Sequence, residues 1–114
     1  MGVKIMSLDI NRKFNEKEDL WKFSLIGDLD IYTSNKFKEE VSEALKFKQK
    51  DLEIDGSDLD YIDSTGLGVL ISILKITNDS KNKIYLKNIQ PNVRKIFDIT
   101  ELDKQFTFRG ENNG

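Results

Sequence analysis

The sequence predicts an α/β fold: one domain in which helices pack against a mixed β-sheet, with elements in the order β-β-α-β-α-β-α. Three observations carry this reading. Two segments of alternating apolar and polar residues open the chain and flank a polar turn, the pattern of an antiparallel hairpin. Amphipathic helical stripes then alternate with short apolar runs, and a β-α-β-α-β succession implies crossovers onto a sheet with a parallel portion. With 114 residues, the chain is long enough to bury one core but not two.

Ile5 to Phe14 alternates through Met6, Leu8 and Ile10 and reads as the first strand. "NEKED", Asn15 to Asp19, is the turn, and Leu20 to Ile26 alternates again through Trp21, Phe23 and Leu25. Gly27 is expected to break that strand and open "GDLDIYTSN". Thr33 or Ser34 is placed to cap a helix running to about Phe47, on which Phe37, Val41, Ala44 and Leu45 form one stripe. Leu52 to Asp55 is a short strand ahead of Gly56-Ser57, and the acids beyond it read as a solvated loop.

Ser64 to about Asn78 forms the second helix, with Leu67, Leu70, Ile71 and Leu74 on one stripe and Val69, Ile73 and Ile76 on another. A helix apolar around most of its circumference is buried on several sides or keeps part of itself for a partner. Lys83 to Lys87 is the next strand, and Pro91 sits where a third helix begins, ahead of Val93, Ile96 and Phe97. Leu102 to Phe108 closes a domain drawn over residues 1–108, leaving "RGENNG", 109–114, as an expected flexible tail.

Composition narrows the chemistry. The chain has no Cys and no His, so it offers no disulfide, no thiolate nucleophile and no imidazole base or metal ligand. Its net charge is −2, but Asp51 to Asp63 holds Asp51, Glu53, Asp55, Asp58, Asp60 and Asp63 with no Lys or Arg among them. Such a stretch repels phosphate backbones, so direct nucleic-acid binding is not expected. The N-terminal "MGVKIMSLDINRK" has no long apolar core, and no run is long enough to span a bilayer. A cytoplasmic protein without a membrane partner is the expectation. Met1-Gly2 begins like a myristoylation signal, but Met6 stands where Ser or Thr is needed.

Four motifs invite chemistry. "DLDIYT" resembles a phosphatase Asp-x-Asp loop, but Tyr32 stands where Thr or Val should be. "DGSDLDYID" fails as a calcium loop, because Leu59 or Ile62 falls at the fifth ligand position in the two available registers. "DSTGLG" lacks the Lys of a P-loop, and Ile71 replaces the third glycine of a dinucleotide fingerprint. Ser64 remains. As an N-cap it would stabilise the helix by about 1 kcal/mol, yet Thr65, Gly66 and Gly68 weaken a helix start and leave its hydroxyl bare. Without His, Cys or a nearby Lys it makes a poor nucleophile. A helix N-terminus tolerates a dianion, so Ser64 fits a phosphorylation target better.

"YIDSTGLGVLISILK", Tyr61 to Lys75, resembles the signature of anti-sigma factor antagonists, the small bacterial STAS-domain proteins of partner-switching systems. "GDLDIYTSNKFKEEV", "LEIDGSDLDYIDSTG" and "PNVRKIFDITELDKQF" are similar to that family's first turn and helix, its central strand and acidic turn, and its closing segment. The likeness spans roughly residues 8 to 108 and implies a STAS-like fold. It also implies a non-enzymatic switch for stress-response or sporulation transcription. The unphosphorylated protein would bind an anti-sigma factor with serine kinase activity and free a sigma factor. Phosphorylation at Ser64 would end that binding, and a metal-dependent serine phosphatase would reset it. Asp30, Asp63, Ser64, Thr65, Gly66 and Leu67 become the partner-binding residues by this resemblance, with no cofactor and a monomer when free. Thr65 stands where the family often has a second Ser, which leaves it as an alternative acceptor. The other readings are a STAS module in a different signalling assembly, or a small-ligand or nucleotide-binding domain.

Overall fold

The computed structural model describes residues 7–110. Strand β1 (Leu8–Asn15) and strand β2 (Leu20–Leu29) form the expected antiparallel hairpin, with Leu8 opposite Gly27 and Phe14 opposite Trp21. Ile5 and Met6 of the predicted first strand lie outside the described residues. Helix α1 (Ser34–Phe47), strand β3 (Asp51–Ile62), helix α2 (Ser64–Asp79), strand β4 (Ile84–Lys87) and helix α3 (Pro91–Ile99) follow. A short 3-10 turn (Leu102–Lys104) leads to a fifth strand, β5 (Thr107–Arg109). The sheet order is β1-β2-β3-β4-β5, antiparallel at the first pair and parallel thereafter.

Each parallel crossover steps to the next strand in the same direction, and right-handed crossovers of that kind put all three helices on one face. Burial agrees. Trp21, Phe23, Leu25, Leu52, Ile54, Ile84 and Leu86 alternate with polar residues and fill the helix-covered side. The stripe predicted for α1 is buried in full, and α2 buries Leu67, Val69, Leu70, Ile73, Leu74 and Thr77. Phe97 of α3 meets Phe106 and Phe108 edge-on, each with ring centroids 5.4 Å apart.

The other face is open and polar. At its centre Glu53 is buried, with Lys22 Nζ 3.5 Å from one carboxylate oxygen and an Arg109 guanidinium nitrogen 3.6 Å from the other. Arg109 also lies 3.5 Å above the Tyr85 ring. Lys22 reaches a second acid, Glu18, at 2.9 Å.

Three expectations are corrected. Gly27 does not end β2: at φ 120° it carries the strand through a register shift, and any side chain there would strike the Ser7 carbonyl oxygen. The strand drawn over Leu52–Asp55 continues to Ile62, because Leu59 and Ile62 keep packing into the core while Asp58 and Asp60 point to solvent. The supposed acidic loop is therefore strand. Finally, the closing segment adds β5, so the domain limit drawn at residue 108 falls inside a strand, and residues 111–114 lie outside the described residues.

Candidate functional site

The C-terminal ends of β2 and β3 lie side by side, with Leu29 opposite Ile62. Two segments leave the sheet there: the loop into α1 and the first turn of α2.

Asp30 organises the first. It is 2% exposed, and its Oδ1 accepts from the Tyr32 amide at 2.9 Å and the Thr33 amide at 3.2 Å. Its carbonyl accepts from the Ser34 hydroxyl and amide, at 2.6 and 2.9 Å. Thr33 occupies the N-cap position of α1, but its hydroxyl turns back to the Asp28 carbonyl at 2.8 Å and makes no cap bond. The second Asp30 oxygen, Oδ2, is buried without a partner among the described residues. This inward knot forces Ile31 and Tyr32 outward, to 63% and 80% exposure.

Asp63 organises the second segment and fastens it to the first. It, and not Ser64, is the N-cap of α2: Oδ1 accepts from the Gly66 amide at 2.8 Å. Both residue types cap well, but the extended backbone at Asp63 puts Ser64 one step inside the helix. The other oxygen, Oδ2, accepts from the Ile31 amide at 3.1 Å. One carboxylate thus holds the start of α2 and the loop bearing Ile31 and Tyr32 in a fixed relation.

Ser64 and Thr65 are exposed, and neither hydroxyl makes a hydrogen bond among the described residues. Gly66 and Leu67 are buried. A Cβ at Gly66 would collide with the Leu29 carbonyl, so only glycine lets α2 begin this close to β2. Gly68 is different. It is exposed, and a Cβ there would meet nothing within 4 Å. Inside a helix it costs roughly 1 kcal/mol relative to Ala, with no packing benefit in this chain.

Of the residues singled out from the sequence, the structure brings Asp30, Asp63, Ser64, Thr65, Gly66 and Leu67 to one end of the sheet. Asp30, Gly66 and Leu67 form its buried support, while Ser64 and Thr65 form its surface. Ile31 and Tyr32 were missed, and Gly68 was read only as weakening the helix start and baring the Ser64 hydroxyl. An apolar pair inside the otherwise polar turn "GDLDIYTSN" was the available signal for the first two. The acids of β3 are spread along the strand, and no group of three or more potential ligands converges among the described residues. Nor is any helix among them long and apolar enough to cross a membrane.

With this geometry in view, comparison with known proteins is specific. The STAS domain profile matches residues 11–112. An anti-sigma-B factor antagonist of Staphylococcus epidermidis is 26% identical over 95 residues, spanning 83% of this chain and 88% of that protein. An anti-sigma factor antagonist from Mycobacterium paratuberculosis superposes with a TM-score of 0.79 at 19% identity, covering 90% of this chain and 86% of that one. The Bacillus cell fate determinant SpoIIAA in its phosphorylated form superposes at 0.68 and 17% identity, covering 94% and 93%.

Proposed function

The chain belongs to the STAS-domain family, and from that premise we propose that it is an anti-sigma factor antagonist switched by phosphorylation of Ser64. The observation that carries this is the exposed, unbonded Ser64 hydroxyl at the start of α2, beside a fixed apolar loop. Unphosphorylated, the protein binds an anti-sigma factor through Ile31, Tyr32, Thr65 and the bare surface at Gly68, and a sigma factor is released. Asp30 contributes by shaping the loop, since it is too buried to touch a partner. Asp63 sets the distance between loop and helix.

The same anti-sigma factor acts as a serine kinase. The γ-phosphoryl group of ATP passes to the Ser64 oxygen, ADP leaves, and the kinase removes the hydroxyl proton. The product adds about −1.5 to −2 charges at pH 7. The amides of the first turn of α2 absorb part of that charge, so the fold tolerates it. A partner surface fitted to Ser64 and the Asp63 carboxylate meets both bulk and repulsion and lets go. A metal-dependent serine phosphatase restores the binding form. The chain itself performs no catalysis in this cycle and acts in the cytoplasm.

Intact-mass measurement tests the reading. Incubated with ATP and the kinase-like anti-sigma factor, the protein should gain one phosphate, and Ser64→Ala should gain none. Unchanged phosphorylation of Ser64→Ala that is lost in Thr65→Ala would move the switch to Thr65. Absence of modification, together with tight nucleotide binding by the isolated chain, would overturn it in favour of a nucleotide-binding domain.

A further inference from the structure

The outer side of β1 is a free edge: among the described residues, β1 pairs only with β2. The Asp28 amide donates to the Ser7 carbonyl, and Leu8 stands opposite Gly27. In an antiparallel ladder successive residues turn their peptide groups to opposite sides. Those of Leu8, Ile10, Arg12 and Phe14 therefore face away from β2. Lys36 Nζ donates to the Leu8 carbonyl from that side at 3.4 Å, a bond that pairing of this edge replaces.

Edges are commonly guarded by proline or by charge, and this one relies on charge alone. It contains no proline, and Arg12 is drawn onto α1, 2.8 Å from the Glu40 carbonyl and 3.5 Å from Glu43. Asp9 and Lys13 are exposed and have no ion-pair partner among the described residues. Lys13 even stands directly opposite Lys22, which is already engaged by Glu18 and Glu53. Like charges facing each other across a strand pair are unfavourable.

The sequence of the edge is self-complementary. We infer that β1 pairs antiparallel with β1 of a second copy, about a two-fold axis at Asn11, joining the two sheets into one. In this register Asp9 faces Lys13, Leu8 faces Phe14 and Ile10 faces Arg12, each twice. The outward peptide groups then face one another as hydrogen-bonded pairs, and Asn11 faces its own copy in a non-hydrogen-bonded pair. Moving the axis to Arg12 would oppose two arginines. Moving it to Ile10 would leave Asp9 facing Asn11 and Lys13 facing Ser7. Charge complementarity thus selects one register. The inference does not rest on the reading of Ser64, and it departs from the free monomer expected from the sequence.

An edge of this length belongs to the weak class of interfaces, so the full chain is examined by sedimentation equilibrium up to about 1 mM, near a 4 kcal/mol association. Wild type should dimerise reversibly. Lys13→Glu and Asp9→Lys should each weaken the dimer about tenfold or more, and the charge-swapped double variant Asp9→Lys/Lys13→Asp should restore it. Because the chain has no cysteine, Asn11→Cys offers a second readout. The facing Cα atoms would lie about 4.5 Å apart, within disulfide reach, so this variant should oxidise to a covalent dimer. Lys17→Cys, in the hairpin turn, should not. Circular dichroism verifies the fold of each variant. A wild type that stays monomeric to that concentration would overturn the inference, as would a dimer indifferent to both charge reversals.

Discussion

A methyl group added at Gly66 would enter the Leu29 carbonyl, whereas one added at Gly68 would enter open space. The two glycines, two positions apart, therefore answer to different demands. Gly66→Ala should destabilise the domain by about 2 kcal/mol or more, through forced displacement of the first turn of α2. Gly68→Ala should stabilise it by roughly 0.5 to 1 kcal/mol, while weakening binding of the anti-sigma factor. Urea unfolding of both variants, with binding measured on the second, checks the pair; equal destabilisation by both would refute the distinction. At this scale the sequence was legible only in part. The Asp-Ser pair announced a cap, but Asp and Ser cap equally well, and only the backbone shows that Asp63 takes the role. That its second oxygen reaches Ile31, 32 residues away, is tertiary information no local pattern contains.

The helices, with their regular apolar stripes, were legible at the scale of the element. The strands were less so. The apolar alternation of β3 is interrupted by Gly56-Ser57 and masked by Asp55, Asp58 and Asp60, which face outward because one side of the sheet is uncovered. β5, at three residues, is too short to carry a period. The uncovered side also carries the ion cluster around Glu53, and there a pH dependence follows. Glu18 is held below its ordinary 4.5, chiefly by its hydrogen bond from Lys22. Lys22 is held above its ordinary 10.5, chiefly by that same bond, with burial opposing and Glu53 adding to it. The Glu18 contribution is present above pH 4.5 and is lost as pH falls through its lowered folded value. The Lys22 contribution is present below pH 10.5 and is lost as pH rises through its raised folded value. Denaturation of wild type and Lys22→Gln across pH should show a stability difference that is greatest between these limits and shrinks outside both. A difference independent of pH would refute the assignment.

For the molecule as a whole, the question is whether the proposed switch would act by unfolding or by ejecting a partner. Ser64 is exposed and sits where helix amides favour an anion, so negative charge there should leave the fold intact. Ser64→Asp should keep the far-ultraviolet circular dichroism spectrum of wild type and bind the anti-sigma factor at least about a hundredfold more weakly, a loss near 3 kcal/mol. Gross loss of structure in that variant would point to unfolding instead. The sheet order has one more consequence, for how the chain comes to be made. Since every strand among the described residues pairs with the one before it, each one leaves the ribosome with its template already synthesised. Chains are made N-terminus first. The Ser64 turn is thus completed once β2, β3 and the start of α2 have emerged, before the last strand exists. Release of nascent chains truncated beyond α2, probed by protection of the Asp63 amide, which donates to the Leu29 carbonyl, and of the Ile31 amide, which donates to Asp63, should find this end of the sheet already formed.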